Sequence, residues 1–217
     1  MQLLLDFIDL FRNLDEHLDR ITTQYGGWSY AILGAVVFAE TGLVVTPFLP
    51  GDSLLFACGA IAAREGGLDP MLLGALLIVS AILGDTVNYH VGKAIGPRVM
   101  SSDTSRWLNK AHLERTHRFF EKYGGKTIVL ARFVPIVRTF APFVAGAGAM
   151  DYRKFILFNI VGAIVWVVSM MGAGIMFGQL DVVKKNFEIV VLGIVFVSIL
   201  PMLFELYKAR QQGAAVQ

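Results

Sequence analysis

Two apolar blocks of this chain are broken near their middles by prolines, and both carry ionisable residues there. Phe38 to Asp52 holds Glu40 and Asp52 together with Pro47, Pro50 and Gly51. Ala131 to Gly148 holds Arg132 and Arg138 together with Pro135 and Pro142. A charge at membrane depth costs several kcal/mol and is kept for function as a rule. Proline removes a backbone donor, and irregular backbone survives at that depth only inside protein or along a wet cavity. Both stretches therefore read as broken, re-entrant helical hairpins that bring charge to the middle of a bilayer, acids in the first and bases in the second. Pro47 to Gly51 and Pro142 to Gly146 also resemble each other, a weak internal repeat. Paired interrupted segments in two halves are the sequence mark of a transporter site.

The rest of the chain fits that frame. At 55% hydrophobic and 17% charged over 217 residues, it is too apolar for an ordinary soluble domain. Cys58 is the single cysteine, so an internal disulfide is excluded, and a net charge of +2 without an aromatic-laced basic run argues against nucleic acid. No cleavable signal peptide is expected, because five acids fall in the first twenty residues. Residues 3–21 pattern as an amphipathic surface helix. The first block covers 29–63, and its second limb, Ser53 to Ala63, has about half the ~20 residues a span needs. Full spans are predicted at 71–96, 155–178 and 187–207. The polar stretch 97–126 between the halves carries seven Lys/Arg against three Asp/Glu, with a second surface helix at 105–123, and the second broken block covers 127–149.

The expectation is an all-α polytopic membrane protein with two re-entrant broken hairpins, three full spans and amphipathic surface helices. It forms one transmembrane domain over 1–217: a first half of about 1–96, an inverted second half of about 97–178, and an extra C-terminal helix at about 187–207. With hairpins, one side collects eleven Lys/Arg against five. With crossings the count is the same and the termini exchange, so the positive-inside rule fixes only the central loop as cytoplasmic. Proline placement and the short limb favour hairpins, which makes the C-terminus cytoplasmic.

Within the apolar blocks, Glu40, Asp52 and Asp85 face Lys93, Arg132 and Arg138, three acids to three bases. These are either structural ion pairs or a substrate and proton site. Guanidinium grips phosphate bidentately and stays charged when dehydrated, which suits Arg132 and Arg138 to an anionic headgroup. Asp52 follows Pro50-Gly51 and reads as an N-cap or as a functional acid. Glu40 has no capping role, and burial and a neighbouring arginine pull on its ionisation in opposite senses, so it is the preferred proton carrier. Asp85, Asn88, Tyr89 and Gly92 share one helix face, a secondary polar stripe for packing or transport. The motifs at Gly92/Gly96 and Gly174/Gly178 allow close helix approach, within one chain or in a homo-oligomer. Gly124-Gly125-Lys126-Thr127 lacks the first glycine of a phosphate-binding loop, and no hydrolase or metalloprotease motif occurs. No metal, cofactor or enzymatic activity is expected.

The run from Glu40 to Leu54 resembles the DedA family of bacterial inner-membrane proteins, and Arg132 to Pro142 is similar to that family's arginine motif. Gly84, Asp85, Tyr89, Gly92 and Trp166 fall where the resemblance would have them, over residues 1–207. The resemblance implies a multi-pass protein of the bacterial inner membrane that returns undecaprenyl phosphate across the bilayer, dependent on the proton gradient. Its partners would be membrane lipids, the anionic lipid phosphate and protons. The rivals are a proton-coupled ion or small-solute transporter, a membrane enzyme acting on lipid phosphate, and a scaffold.

Overall fold

The computed structural model describes residues 20, 22, 24–43, 51–64, 66–101, 120–187, 189–190, 193–194 and 196, and the regular structure among them is all helical. The elements are α1 (Trp28–Gly42), α2 (Gly51–Ala62), α3 (Pro70–Ser101), α4 (Lys126–Ala131), α5 (Pro135–Val144), a π-helical turn (Ala145–Ala149), α6 (Tyr152–Phe177) and a short α7 (Asp181–Lys185). Four expectations lie wholly or mostly outside the described residues: the surface helix at 3–21, the prolines Pro47 and Pro50, the surface helix at 105–123 and the span at 187–207.

Two helices are long and apolar enough to cross a bilayer, Pro70–Gly96 within α3 and α6 at Tyr152–Phe177, close to the spans expected at 71–96 and 155–178. Val79, Leu83, Val87, Val91 and Ile95 form an exposed apolar stripe along α3, and Leu157, Val161, Ile164 and Val168 form one on α6. Such surface suits lipid and not water. The two spans run antiparallel. Gly74 lies beside Met171, the Asn159 amide donates to the Ile82 carbonyl over 3.1 Å, and Tyr89 stacks on Phe155.

The second broken block divides where its prolines require, with one exception. Val134, the residue before Pro135, is extended at φ −123 and ψ 103, as the proline ring demands, so α4 ends and α5 begins with proline in its first turn. Pro142 does not break the chain. It sits inside α5, which continues into the π-helical turn, and the break expected there falls at Gly148, whose φ of 128 suits glycine alone.

Packing exchanges the two halves. α1 lies along α3, the span of its own half, whereas α2 lies along α6. In the second half α4 lies along its own α6, whereas α5 and the π-helical turn lie along α3. Both exchanged crossings are made by glycine. Gly174 abuts the Phe56 carbonyl and Gly178 abuts Ala60, while Gly59 faces the Met171 carbonyl. At the related crossing Gly92 abuts the Phe143 carbonyl, Gly96 faces Ala147 and Gly146 faces the Tyr89 carbonyl. Both small-residue motifs are therefore spent within the chain, backbone against backbone. A Cβ at Gly174 would lie 3.0 Å from the Ala60 amide nitrogen, so Gly174→Ala must part α2 from α6, at about 1–3 kcal/mol for an overpacked contact. Its thermal midpoint in detergent should fall by several degrees. Gly172→Ala, in open space on the same helix, should leave the midpoint unchanged or higher.

Two apolar clusters fill the bundle. One gathers Leu33, Val37, α2, Leu73, Leu77, Trp166 and Met171. The other gathers Tyr89, Ile128, Val137, Phe140, Phe143 and Phe155. On α3 Asp85 falls between the clusters, and on α6 Asn159 does the same, so a polar layer crosses the bundle, near the middle of the first span and in the first third of the second.

Candidate functional site

Broken helices place the charges. Glu40 sits in the last turn of α1 and Asp52 in the first turn of α2. Arg132 follows the last residue of α4, and Arg138 is in the first turns of α5. All four stand at limb ends, where a short helix leaves backbone groups free and a side chain can turn inward. Asp85 reaches the same place from the middle of α3, and Asn159 and Trp166 reach it from α6.

The Arg138 guanidinium forks between α1 and α2. Its Nη2 donates to Glu40 Oε1 over 2.6 Å, and its Nη1 donates to Asp52 Oδ1 over 3.1 Å. The same Asp52 oxygen accepts the indole N–H of Trp166 over 2.7 Å. Asp52 is therefore more than a helix cap: its carboxylate links α5 and α6. Arg132 is held differently. One nitrogen, Nη2, donates both to Asp85 Oδ2 over 2.5 Å and to Asn159 Oδ1 over 2.6 Å. Its Nε and Nη1 make no hydrogen bond among the described residues, although Arg132 is only 2% exposed. Trp166 lies between the two arrangements in contact terms, its ring centre 5.6 Å from the Arg132 guanidinium carbon and 5.4 Å from that of Arg138. An indole face attracts both cations.

Several sequence expectations shift here. Asp85, placed in a secondary stripe, is the direct partner of Arg132. Its stripe neighbours are packing residues: Asn88 Nδ2 staples the Thr41 and Thr139 carbonyls, the Tyr89 hydroxyl donates to the Met150 carbonyl, and Gly92 admits α5. Lys93, counted among the bases, is exposed and lies outside the cluster, so three carboxylates meet two guanidiniums, not three bases. Asn159 was missed. Its signal was an amide in the apolar run Tyr152–Phe177, two turns before Trp166 and so on the same face. Pro135 and Gly51 sit at limb starts as expected. Gly51 has a second role, because any Cβ there would run into the Glu40 carboxylate.

A family model described as the VTT domain matches residues 49–176, more than half of the chain. Protein DedA of Escherichia coli K12 is 47% identical over 215 residues, covering 99% of this chain and 98% of the relative. This chain belongs to the DedA family. An uncharacterized membrane protein of Mycobacterium tuberculosis is 43% identical over 184 residues, covering 82% of this chain and 80% of the relative. The inner membrane protein YqjA of Escherichia coli K12 is 34% identical over 162 residues, 73% of this chain and 72% of its own length. No solved structure matches. The VTT-domain match spans Asp52 and both arginines, as well as Asp85, Asn159 and Trp166.

Proposed function

We propose that this chain moves an anionic lipid phosphate, undecaprenyl phosphate first among candidates, across the bacterial inner membrane with dependence on the proton gradient. The observation that carries the reading is the buried cluster of two arginines and three carboxylates between antiparallel halves. An ion-pair layer of this size across two spans is a poor stabiliser compared with apolar packing, and membrane proteins keep such layers for transport. Membership of a family whose relatives are named as inner membrane proteins supports the location.

In this reading both broken blocks are re-entrant. α1 has 15 residues and α2 has 12, about 22 and 18 Å of rise, and each falls short of a ~30 Å hydrocarbon core. Each block then enters and returns on one side, and the limb ends meet at mid-depth from opposite faces. The span at 187–207 would be the third, and the C-terminus would be cytoplasmic. A reporter fused after Gln217 that is active only in the periplasm would overturn this topology.

Charge balance gives the proton its place. Three carboxylates against two guanidiniums leave a surplus negative charge, which a dehydrated centre cannot hold. A proton is therefore carried in the empty state, and Glu40 Oε2, buried and without a side-chain hydrogen-bond partner among the described residues, is the oxygen open to it. The test uses the purified full chain in vesicles containing a labelled isoprenyl phosphate. Leaflet exchange without phosphate release supports transport. Phosphate release would make the protein an enzyme, and neither event would leave a scaffold or a different solute.

A further inference from the structure

The two arginines are not equivalent, and the difference assigns them separate tasks. Arg138 has each terminal nitrogen committed to a carboxylate. Arg132 uses a single nitrogen for both of its bonds and keeps Nε and Nη1 buried and unpaired. Unpaired N–H groups on a buried cation are costly and mark a place where an acceptor belongs. On α6 the residue facing the Nε edge is Gly162, where a Cβ would come within 3.1 Å of Nε. We infer that Arg132 is the guanidinium that receives the substrate oxyanion and that Asp85 is the carboxylate it displaces, so that Asp85 takes up the proton accompanying binding. This rests on the anionic-substrate reading and names the residues that serve it.

The charges close on this scheme. Empty, Arg132 and Arg138 balance ionised Asp85 and Asp52, with Glu40 holding its proton. A phosphate monoester monoanion that forks onto Arg132 adds a negative charge. The Asp85 carboxylate, released from Nη2, accepts a proton from water, and the centre is neutral again. Glu40 and Asp52 stay on Arg138, and Trp166 keeps Asp52 in place through its indole N–H. The groups around Asp85 leave it the only acceptor released. α1 supplies Glu40 and α2 Asp52, both held by Arg138 of α5, while α6 supplies the neutral Asn159 and Trp166. On its own helix the nearby Tyr89 hydroxyl is bonded to the Met150 carbonyl.

The test is calorimetric titration of the purified full chain with dodecyl phosphate and, separately, inorganic phosphate. Two buffers of different ionisation enthalpy are used across pH, with correction for the ionisation of the phosphate. Wild type should take up protons, and its affinity should weaken by up to about tenfold per pH unit where Asp85 must be protonated. Asp85→Asn should bind several-fold more tightly at alkaline pH with the uptake gone, while Glu40→Gln keeps the uptake. Gly162→Ala, which covers the Nε edge without changing charge, should weaken binding at least several-fold. Infrared difference spectra give a second readout: a protonated-carboxyl band should appear on binding in wild type, Glu40→Gln and Asp52→Asn. If Asp85→Asn fails to fold, those three spectra still decide. Uptake with dodecyl phosphate alone assigns the oxyanion to a lipid headgroup and uptake with both to phosphate in general; either supports exchange at Arg132. Uptake that survives Asp85→Asn and disappears in Glu40→Gln overturns the inference and leaves the transport reading intact. No binding of either probe by folded wild type overturns both.

Discussion

Arg138→Lys is expected to insert and accumulate in the membrane yet lose transport by on the order of a hundredfold or more. The guanidinium reaches Glu40 at the end of α1 and Asp52 at the start of α2 with separate nitrogens, 2.6 and 3.1 Å away. An ammonium is a single point donor on a flexible stem and cannot span both carboxylates. With Asp52 ionised and Glu40 protonated, the ammonium stays with Asp52 and Glu40 loses its donor, a buried polar group left unsatisfied at about 1–3 kcal/mol. The apolar clusters on either side of the polar layer keep the fold, so the loss should fall on the limb ends. Arg132→Lys should lose transport as well, through the donors that a phosphate would meet. The measurement is leaflet exchange in vesicles normalised to inserted protein. Normal exchange in both Lys variants would mean that charge alone suffices and that no guanidinium clamp exists.

Much of this arrangement was legible in the sequence because buried charge and proline are conspicuous against an apolar background. Glu40, Asp52, Arg132 and Arg138 stand out for that reason, and so does the break before Pro135. Pairing was not legible. Which acid faces which arginine depends on how the halves interleave, and helix periodicity has no information about that. The sequence reading treated Asp85 as one member of a stripe with Asn88, Tyr89 and Gly92, because all four share a face. Only the crossing of α5 and the π-helical turn over α3 separates them, covering Gly92 and Tyr89 and leaving Asp85 to Arg132. Pro142 misled for a local reason. Near the C-terminal end of α5 a missing N–H costs little when the following turn rearranges into a π-helical one. Lys93 misled because a long basic side chain near a helix end reaches outward as readily as inward.

Gly51→Ala should separate stability from function. Read from sequence, Gly51 is one of several helix breakers, and replacing it should disturb the fold. In the structure it is the first residue of α2, and the space where its Cβ would stand is filled by the carboxylate of Glu40. A methyl group there cannot coexist with that carboxylate, whose carbon would be 2.5 Å away. The obstacle is the far end of a flexible side chain and not backbone, so Glu40 swings aside while the helices stay in place. What is lost is the 2.6 Å bond from Arg138 Nη2 to Glu40 and the fixed place of the proposed proton carrier. Gly51→Ala should therefore hold the thermal midpoint in detergent at or above that of Glu40→Ala while cutting transport as deeply. Combining it with Glu40→Asp, which withdraws the carboxylate by one methylene, should restore part of the rate. Full transport by Gly51→Ala would mean that Glu40 works from elsewhere; a midpoint below that of Glu40→Ala with no rescue would make Gly51 a structural residue only.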